Sequence, residues 1–553
     1  GLGLAVGRHR DRRGAVLRAG SIAGRVLMMA PGKGFRQSMS WLHTWAGVLL
    51  GSLLLAIFWT GSLSVFDREI DRWMQPGTRL AEPPPQLSLD RLVLPHAKNL
   101  APDAPVWTIN LPTPRVPVLQ LDYEDPQHGR VRRYINPHTG ELIVDQGSWG
   151  GTRFIFPFHF SLHLNWRSVG YWLVGAAAMG MLVLLVSGVV AHRKLIAEFF
   201  TFRPRKRLQR SLLDLHNLTG VVVLPFHFMI SLSGLVICCL IYFPSVAQAL
   251  YPSDQAQLKL EGLGTYFRPP SGPSTDIASL DTMLDSAQAI WTSQGKPGEA
   301  YLVRVRNPFD RNGHVEIRRA HTRAVTMNAD RLTFDVTTGA LLYQHSAAPI
   351  AGVQRFLTGL HFIQFDHWTL RWLYFAGGLA GCVLIGSGLL FWTGSRRARH
   401  ERQGRIGARL VEALSVTAGP GLIIATLTFF VANRLLPLDG PVTGNQRAVL
   451  EGWVFFLSWL TTMAHAAWYP AQAWCRQLQA VGGLAIACVL LNGFTTGDHL
   501  LHSLWHGKAA IAGMDLMLLA LAGSCLLAAR RIRLTSQARQ SNNPPEPEAH
   551  RHA

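Results

Sequence analysis

Seven histidines stand in or beside long apolar runs: His43, His159, His163, His192, His216, His227 and His361. An ionisable side chain inside a membrane span is costly and marks function by default. His43, His192 and His216 are expected at similar depth, near one end of their spans. His159, His163 and His361 fall near the other end, and His227 sits deeper. The interval from His216 to His227 is 11 residues, close to three helical turns. On a straight helix that puts both on one face, about 16 Å apart along the axis. His159 and His163, at i and i+4, share a face if their segment is helical. Imidazoles at two levels of a four-helix bundle point to two stacked haems b. Such a haem needs one or two axial imidazoles from facing helices and no covalent motif.

Each member of that set has a plainer reading as a satisfied polar residue or a headgroup contact. The set of seven is what carries the argument. Gly47 and Gly220 lie one turn beyond His43 and His216, where a missing side chain could admit a flat porphyrin or let two helices pack closely. A zinc site would want compact spacing such as HExxH, which does not occur. His499, His502 and His506 share a helical face beside Gly497 and Gly507. They read as a solvated connection in preference to a metal site. Trp149, Phe154, Phe156, Phe158, Phe160, Trp166 and Trp172, with Phe356, Phe362, Phe365, Trp368 and Trp372, read as an interfacial aromatic belt in preference to a substrate approach.

The elements that must position these residues are membrane helices. Of 553 residues 48% are apolar and 16% charged, too few charges for an ordinary soluble enzyme. The formal net charge is +20. Its Lys and Arg cluster beside apolar runs, the pattern of a membrane protein and not of a nucleic-acid binder. The six Cys lie in or beside apolar runs, which excludes a secreted disulfide scaffold, and they form no CxxC pair, which excludes a zinc ribbon and c-type haem attachment. Eight stretches approach the length needed to span: 43–66, 168–191, 212–243, 371–393, 410–436, 449–469, 476–494 and 509–529. Basic residues before the first, after the second, after the fourth and after the eighth fall on one side if the spans alternate, so both termini are expected in the cytoplasm. Residues 1–34 read as a disordered basic lead and 534–553 as a disordered tail. Spans are expected within 35–66, 166–243, 369–395 and 396–533.

The chain repeats itself. His43-Thr-Trp-Ala-Gly47 leads to Gly61 as His216-Asn-Leu-Thr-Gly220 leads to Gly234, with 18 residues from His to Gly in both. Arg153-Phe-x4-His159 matches Arg355-Phe-x4-His361, and Ser187-Gly188 matches Ser387-Gly388. Residues 36–400 are therefore two parallel copies of span, outer segment, span. The outer segments, 67–165 and 244–368, have short alternating runs that read as strands, at Val116–Asp122, Val303–Arg306 and Val315–Arg318. Gly140 and Gly339 supply the positive φ of a turn in each. The fold class is thus an all-α polytopic membrane protein of about eight transmembrane helices. A four-helix haem-binding core from the tandem repeat carries four extra helices and two small α+β extracytoplasmic domains.

This pattern resembles the PepSY-associated transmembrane helix family. The resemblance rests on Trp41-Leu-His43-x-Trp-x-Gly47, Ser187-Gly-Val-Val-Ala-His192-Arg-Lys, Phe199-Phe-Thr-Phe-Arg-Pro204, Leu213-Asp-Leu-His216-Asn, Leu224-Pro-Phe-His227 and Leu360-His361-Phe-x-Gln-Phe. It covers 36–400 and is most specific from Ser187 to His227. It implies an inner-membrane protein of Gram-negative bacteria, often tied to iron uptake, with PepSY-like outer domains. Some members resemble siderophore reductases with two haems b. Carried over, His43, His192 and His216 are candidates for the cytoplasmic-side haem, and His159, His163, His227 and His361 for the periplasmic one, with the axial pairs left open. On straight helices His227 sits too deep to pair easily with His361. Spans five to eight depart from the common four-span pattern.

The leading expectation is an electron conduit reducing a periplasmic ferric siderophore or other ferric chelate, releasing ferrous iron that hard oxygen donors hold weakly. With no dinucleotide or Walker pattern on a strand–turn–helix, electrons come from quinol or a separate reductase. One alternative is a non-enzymatic protein whose outer domains bind peptide or a protein partner, in keeping with the association of the PepSY name with protease regulation. Another is a metal or chelate transporter, against which no acidic residue stands deep in a core span.

Overall fold

The computed structural model describes residues 34–126, 129–192, 202–204, 208–243, 245, 249, 260, 264–296, 298–320, 324–346, 349–363, 365–402, 406–438 and 445–541. The basic lead, most of the basic loop after the second span, and 542–553 lie outside them.

The first half contains α1 (Phe35–Ser64), α2 (Asp67–Met74), α3 (Leu89–Leu92), α4 (Leu94–Leu100), α5 (Phe156–Ser161) and α6 (Val169–Ala191). The second half contains α7 (Leu208–Val222), α8 (Leu224–Ile237), α9 (Leu280–Ser293), α10 (Gly352–Phe362) and α11 (Trp368–Arg402). Beyond the repeat come α12 (Ile406–Val416), α13 (Leu422–Leu435), α14 (Asn445–Trp468), α15 (Pro470–Thr496) and α16 (Ala509–Ser541). Among the described residues six helical stretches are long and apolar enough to cross a membrane, and the bent pair α7–α8 makes a seventh. Eight spans were expected from the sequence. The stretch at 449–469 is not among the six, and it carries Glu451 and His465 among its apolar residues. The tail expected from 534 starts as helix, since α16 runs to Ser541.

The repeat builds the core. Helix α1 packs along α6 and α11, α7 packs along α11, and α8 packs along α6. The short helices α5 and α10 sit at equivalent places, on α1 and α8 respectively. The third span is not straight: α7 and α8 meet at 64°. Pro225, in the first turn of α8, has no N–H to continue the helix, and its ring crowds the preceding turn.

The two outer segments, expected as two small α+β domains, share their strands. Four from each join in one eight-stranded antiparallel sheet. Its strands are β1 (Val106–Asn110), β2 (Leu119–Asp125), β3 (Gly129–Ile135), β4 (Leu142–Ile143), β5 (Ala300–Arg306), β6 (His314–Arg319), β7 (Arg331–Asp335) and β8 (Leu341–His345). The order β4-β3-β2-β1-β5-β6-β7-β8 is mirrored about the β1–β5 pair, where Ile109 stands opposite Val303. One face carries Trp107, Ile109, Leu121, Val303, Ile317 and Phe334 into a core closed by α3, α4 and α9. The halves also exchange helix caps. Asp281 accepts from Ser88 Oγ and Leu89 N, and Asp90 accepts from Ser279 Oγ and Leu280 N. Gly140 and Gly339 hold φ of +79° and +72° in the turns the sequence assigns them.

The added helices are fastened to the first half. Fully buried Trp73 donates its indole N–H to Asp515 at 2.8 Å, and Arg434 lies over the ring. Arg79 reaches Asp498 and Asn492, both at 2.9 Å. Buried Glu451 accepts from Ser148 and Asn433. Asp515 and Glu451 are thus deeply buried acids of the added helices, each hydrogen-bonded by local donors, with Arg447 3.1 Å from Glu451.

At the foot of the sheet, Arg115 grips Glu69 through two hydrogen bonds of 2.7 and 2.6 Å, and both side chains are buried. Burial alone would raise the Glu69 carboxyl, but the Arg115 hydrogen bonds and charge hold it below its ordinary value of 4.5. A lowered carboxyl stabilises the fold above that ordinary value, and the contribution is lost as pH falls through the lowered one. Arg115→Ala is expected to cost about 3–5 kcal/mol, because it strands a buried charge. Thermal unfolding of the detergent-solubilised protein measures this. The wild-type advantage should shrink below the ordinary carboxylate range.

Candidate haem-binding site

Four of the seven histidines meet in two pairs on the bundle axis. His43 on α1 and His216 on α7 face each other with ring centroids 6.1 Å apart. His159 on α5 and His361 on α10 do the same at 6.2 Å. In each pair the partners are repeat equivalents. The levels are separated along α1 by most of the 18 residues between His43 and Gly61, roughly 25 Å of helix. That approaches the ~30 Å hydrocarbon core.

Each ring is held by one nitrogen. His43 Nδ1–H donates to the Leu184 carbonyl at 2.9 Å, and His216 Nδ1–H to its repeat equivalent, Leu384, at 2.8 Å. His159 Nδ1–H donates to the Ile57 carbonyl at 2.9 Å. Ser233 Oγ sends its own proton to the Met229 carbonyl, so it accepts from His361 Nδ1–H at 2.9 Å. A carbonyl can only accept, so the proton of each neutral ring sits on Nδ1. Nε2 keeps the lone pair that a metal needs, and the hydrogen bond on the other nitrogen fixes the ring's orientation.

Every paired ring lies against a glycine. A Cβ on Gly188 would stand 3.0 Å from His43 Cε1, and one on Gly388 2.9 Å from His216 Cε1. One on Gly61 would stand 2.7 Å from His159 Cε1, and one on Gly234 3.0 Å from His361 Cε1. These four glycines seat the histidines. Gly47 and Gly220 do not: their positions face Leu184 and Leu384, as close helix packing requires. The signal was present in the sequence, since all four ring-seating glycines mark the repeat.

The other three histidines lie elsewhere. His163 has φ of +54° beyond the end of α5 and donates Nε2–H to the Phe154 carbonyl at 2.9 Å. The helix stops at Ser161, so it does not share a face with His159. His227 is fully buried between Phe58 and Phe226, with Nε2–H donated to the Gly377 carbonyl at 3.1 Å. His192 is the C-cap of α6. In the connection at 499–506, His499 caps a short helix, while Asp498 is taken by Arg79, Lys508 and His502. No cluster of three or more metal-ligating side chains occurs among the described residues.

Beside His159 and His361 a cavity of about 430 Å³ opens between the helices. Its walls are mostly apolar and include Phe58, Phe156, Phe160, Met181 and Tyr374. The aromatic belt therefore divides. Trp166, Trp172, Trp368 and Trp372 face outward, Phe156, Phe160 and Phe362 line the cavity, and Phe154 and Phe158 are buried against Phe455.

The centroid spacing of each pair is compatible with two imidazoles holding one haem iron. A metal–imidazole bond is about 2 Å and the ring nitrogen lies roughly 1 Å from the centroid, so two rings sharing one iron have centroids about 6 Å apart.

A helical membrane protein with a two-fold repeated core and two facing histidine pairs is the class these features define. The chain belongs to the family described as the PepSY-associated TM region, which matches residues 40–394. The match ends within α11 and leaves out the added helices. A Pseudomonas aeruginosa protein bearing the name "Uncharacterized protein PA4219" is 29% identical over 382 residues, 64% of this chain and 88% of that protein.

Proposed function

We propose that the chain is a di-haem b electron conduit of the bacterial inner membrane, reducing a ferric siderophore or other ferric chelate on the sheet side, in the periplasm. The observation that supports it is the pair of pairs: two sets of facing imidazoles, 6.1 and 6.2 Å apart, at opposite ends of one bundle. His43 with His216 would hold one haem and His159 with His361 the other. A haem iron supplies one-electron chemistry between its ferric and ferrous states.

The chain supplies the rest. Nδ1–H bonds, three to carbonyls and one to the Ser233 hydroxyl, orient four rings before any metal arrives. The apolar helices keep water from the space between levels. The sheet roofs the His159–His361 end, where a chelate would approach. Electrons would enter at the His43–His216 end from quinol or a cytoplasmic reductase.

The test is the reduced-minus-oxidised visible spectrum of the detergent-purified protein, with a pyridine haemochrome assay. Two haems b per chain are expected. A folded protein that stays free of haem, despite ample supply during expression, would sink the reading.

A further inference from the structure

The face of the sheet opposite the core is crowded with guanidinium groups. Arg304, Arg318 and Arg331 all lie within 4.0 Å of a single carboxylate, Glu316. Arg319 and Lys296 share another, Asp330. Beside them, between this face and α10, is a cavity of about 210 Å³. Arg318, Arg319, Arg331 and Arg355 line it, with Asp330 and Thr358. Four cations and one carboxylate, Asp330, thus line the space, with Glu316 behind Arg318 and Arg331 as a second carboxylate. Arg355 reaches the Met327 carbonyl through Nη1, while its buried Nε has no partner among the described residues. Burial, and after it the neighbouring Arg318, holds Arg331 below its ordinary value. Such crowding of desolvated positive charge is what a bound anion relieves.

The place of the cavity matters as much as its charge. Gln354 and Thr358 line it and stand at i and i+4 on α10; His361 is i+7 on the same stripe. Thr358 is separated from His361 by about 4.5 Å of helix rise.

We propose that this cavity binds a polycarboxylate anion through Arg318, Arg331 and Arg355, and so seats a carboxylate ferric chelate above the His159–His361 pair. The second part rests on the electron-conduit reading; the anion site itself does not. Carboxylate pairs with guanidinium in a bidentate fork, and several such forks would select an anion of two or more carboxylates over a neutral or cationic chelate.

Citrate is the probe. Isothermal titration of the full chain in nanodiscs of zwitterionic lipid should give saturable binding, and Arg331→Gln and Arg355→Gln should each weaken it at least tenfold. Unchanged thermal midpoints would show that both variants fold. Ferric citrate competing with the same dependence on the two arginines supports the chelate as occupant. Citrate binding without ferric citrate binding keeps the anion site and overturns the chelate part. A cationic hydroxamate chelate should not compete. No citrate binding, or binding indifferent to both substitutions, overturns the proposal. Citrate binding by a protein that carries no haem would keep the anion site while ending the conduit reading.

Discussion

Replacing His216 with alanine is expected to halve the haem content of the purified protein and to stop electrons from crossing it. His216 and His43 face each other at 6.1 Å, so removing either ring would leave the other alone to hold a haem. The two single variants should lose the same haem, and the double variant should lose no more than either alone. That non-additivity marks residues that act as one unit. His361→Ala should remove the other haem, and pairing it with His216→Ala should remove both. His163→Ala and His192→Ala are expected to keep two haems, as is His227→Ala: its ring faces Phe58 and Phe226 and not a second imidazole. The pyridine haemochrome assay reads each outcome directly. Loss of both haems from His216→Ala with the fold intact, or loss of one from His163→Ala, would break the pairing.

The seven candidate histidines could be gathered from the sequence, because polar residues in apolar runs stand out at any resolution of the fold. Their pairing could not. The face relation between His216 and His227 assumed a straight span, and Pro225 breaks it. That proline was visible, and its missing N–H is reason enough to expect the bend. The i, i+4 relation of His159 and His163 assumed a helix that ends first, with Leu162 and His163 both at positive φ. No residue type there announces the stop. The repeat itself held the better clue. Each paired histidine has an equivalent in the other copy, whereas His227 aligns with Leu54, so the two-fold arrangement selects partners that spacing along one helix cannot.

The sheet shows the same division. Hairpins were legible from alternating residues and their turn glycines, which are local signals. The joining of the halves through β1 and β5 is a contact between segments almost 200 residues apart, and only packing decides it. Val106-Trp-Thr-Ile-Asn110 alternates as a strand should, with Trp107 and Ile109 inward, and it forms the central seam. The arginines on the opposite face are spread along the chain. Cross-strand register stacks Arg304 opposite Glu316 and Arg318 opposite Arg331, which concentrates them.

Gly61→Ala is expected to do nearly as much damage to the sheet-side haem as removing His159, although it is the smallest change available. In a helix interior alanine is favoured over glycine by about 1 kcal/mol, so α1 itself should gain stability. The new methyl would stand 2.7 Å from His159 Cε1 and 2.8 Å from Nδ1, distances that force the ring aside. A displaced ring loses its hydrogen bond to the Ile57 carbonyl and, with it, the orientation that sets it 6.2 Å from the His361 ring. The haem between His43 and His216 should be untouched, giving one haem per chain with a thermal midpoint at or above that of the wild type. Gly47→Ala is the control. Its methyl would meet Leu184 at an ordinary 3.6 Å, so both haems should remain. A destabilised Gly61→Ala protein would point to helix packing as the role of that glycine. A more stable protein lacking one haem would show that the glycine is there for the histidine.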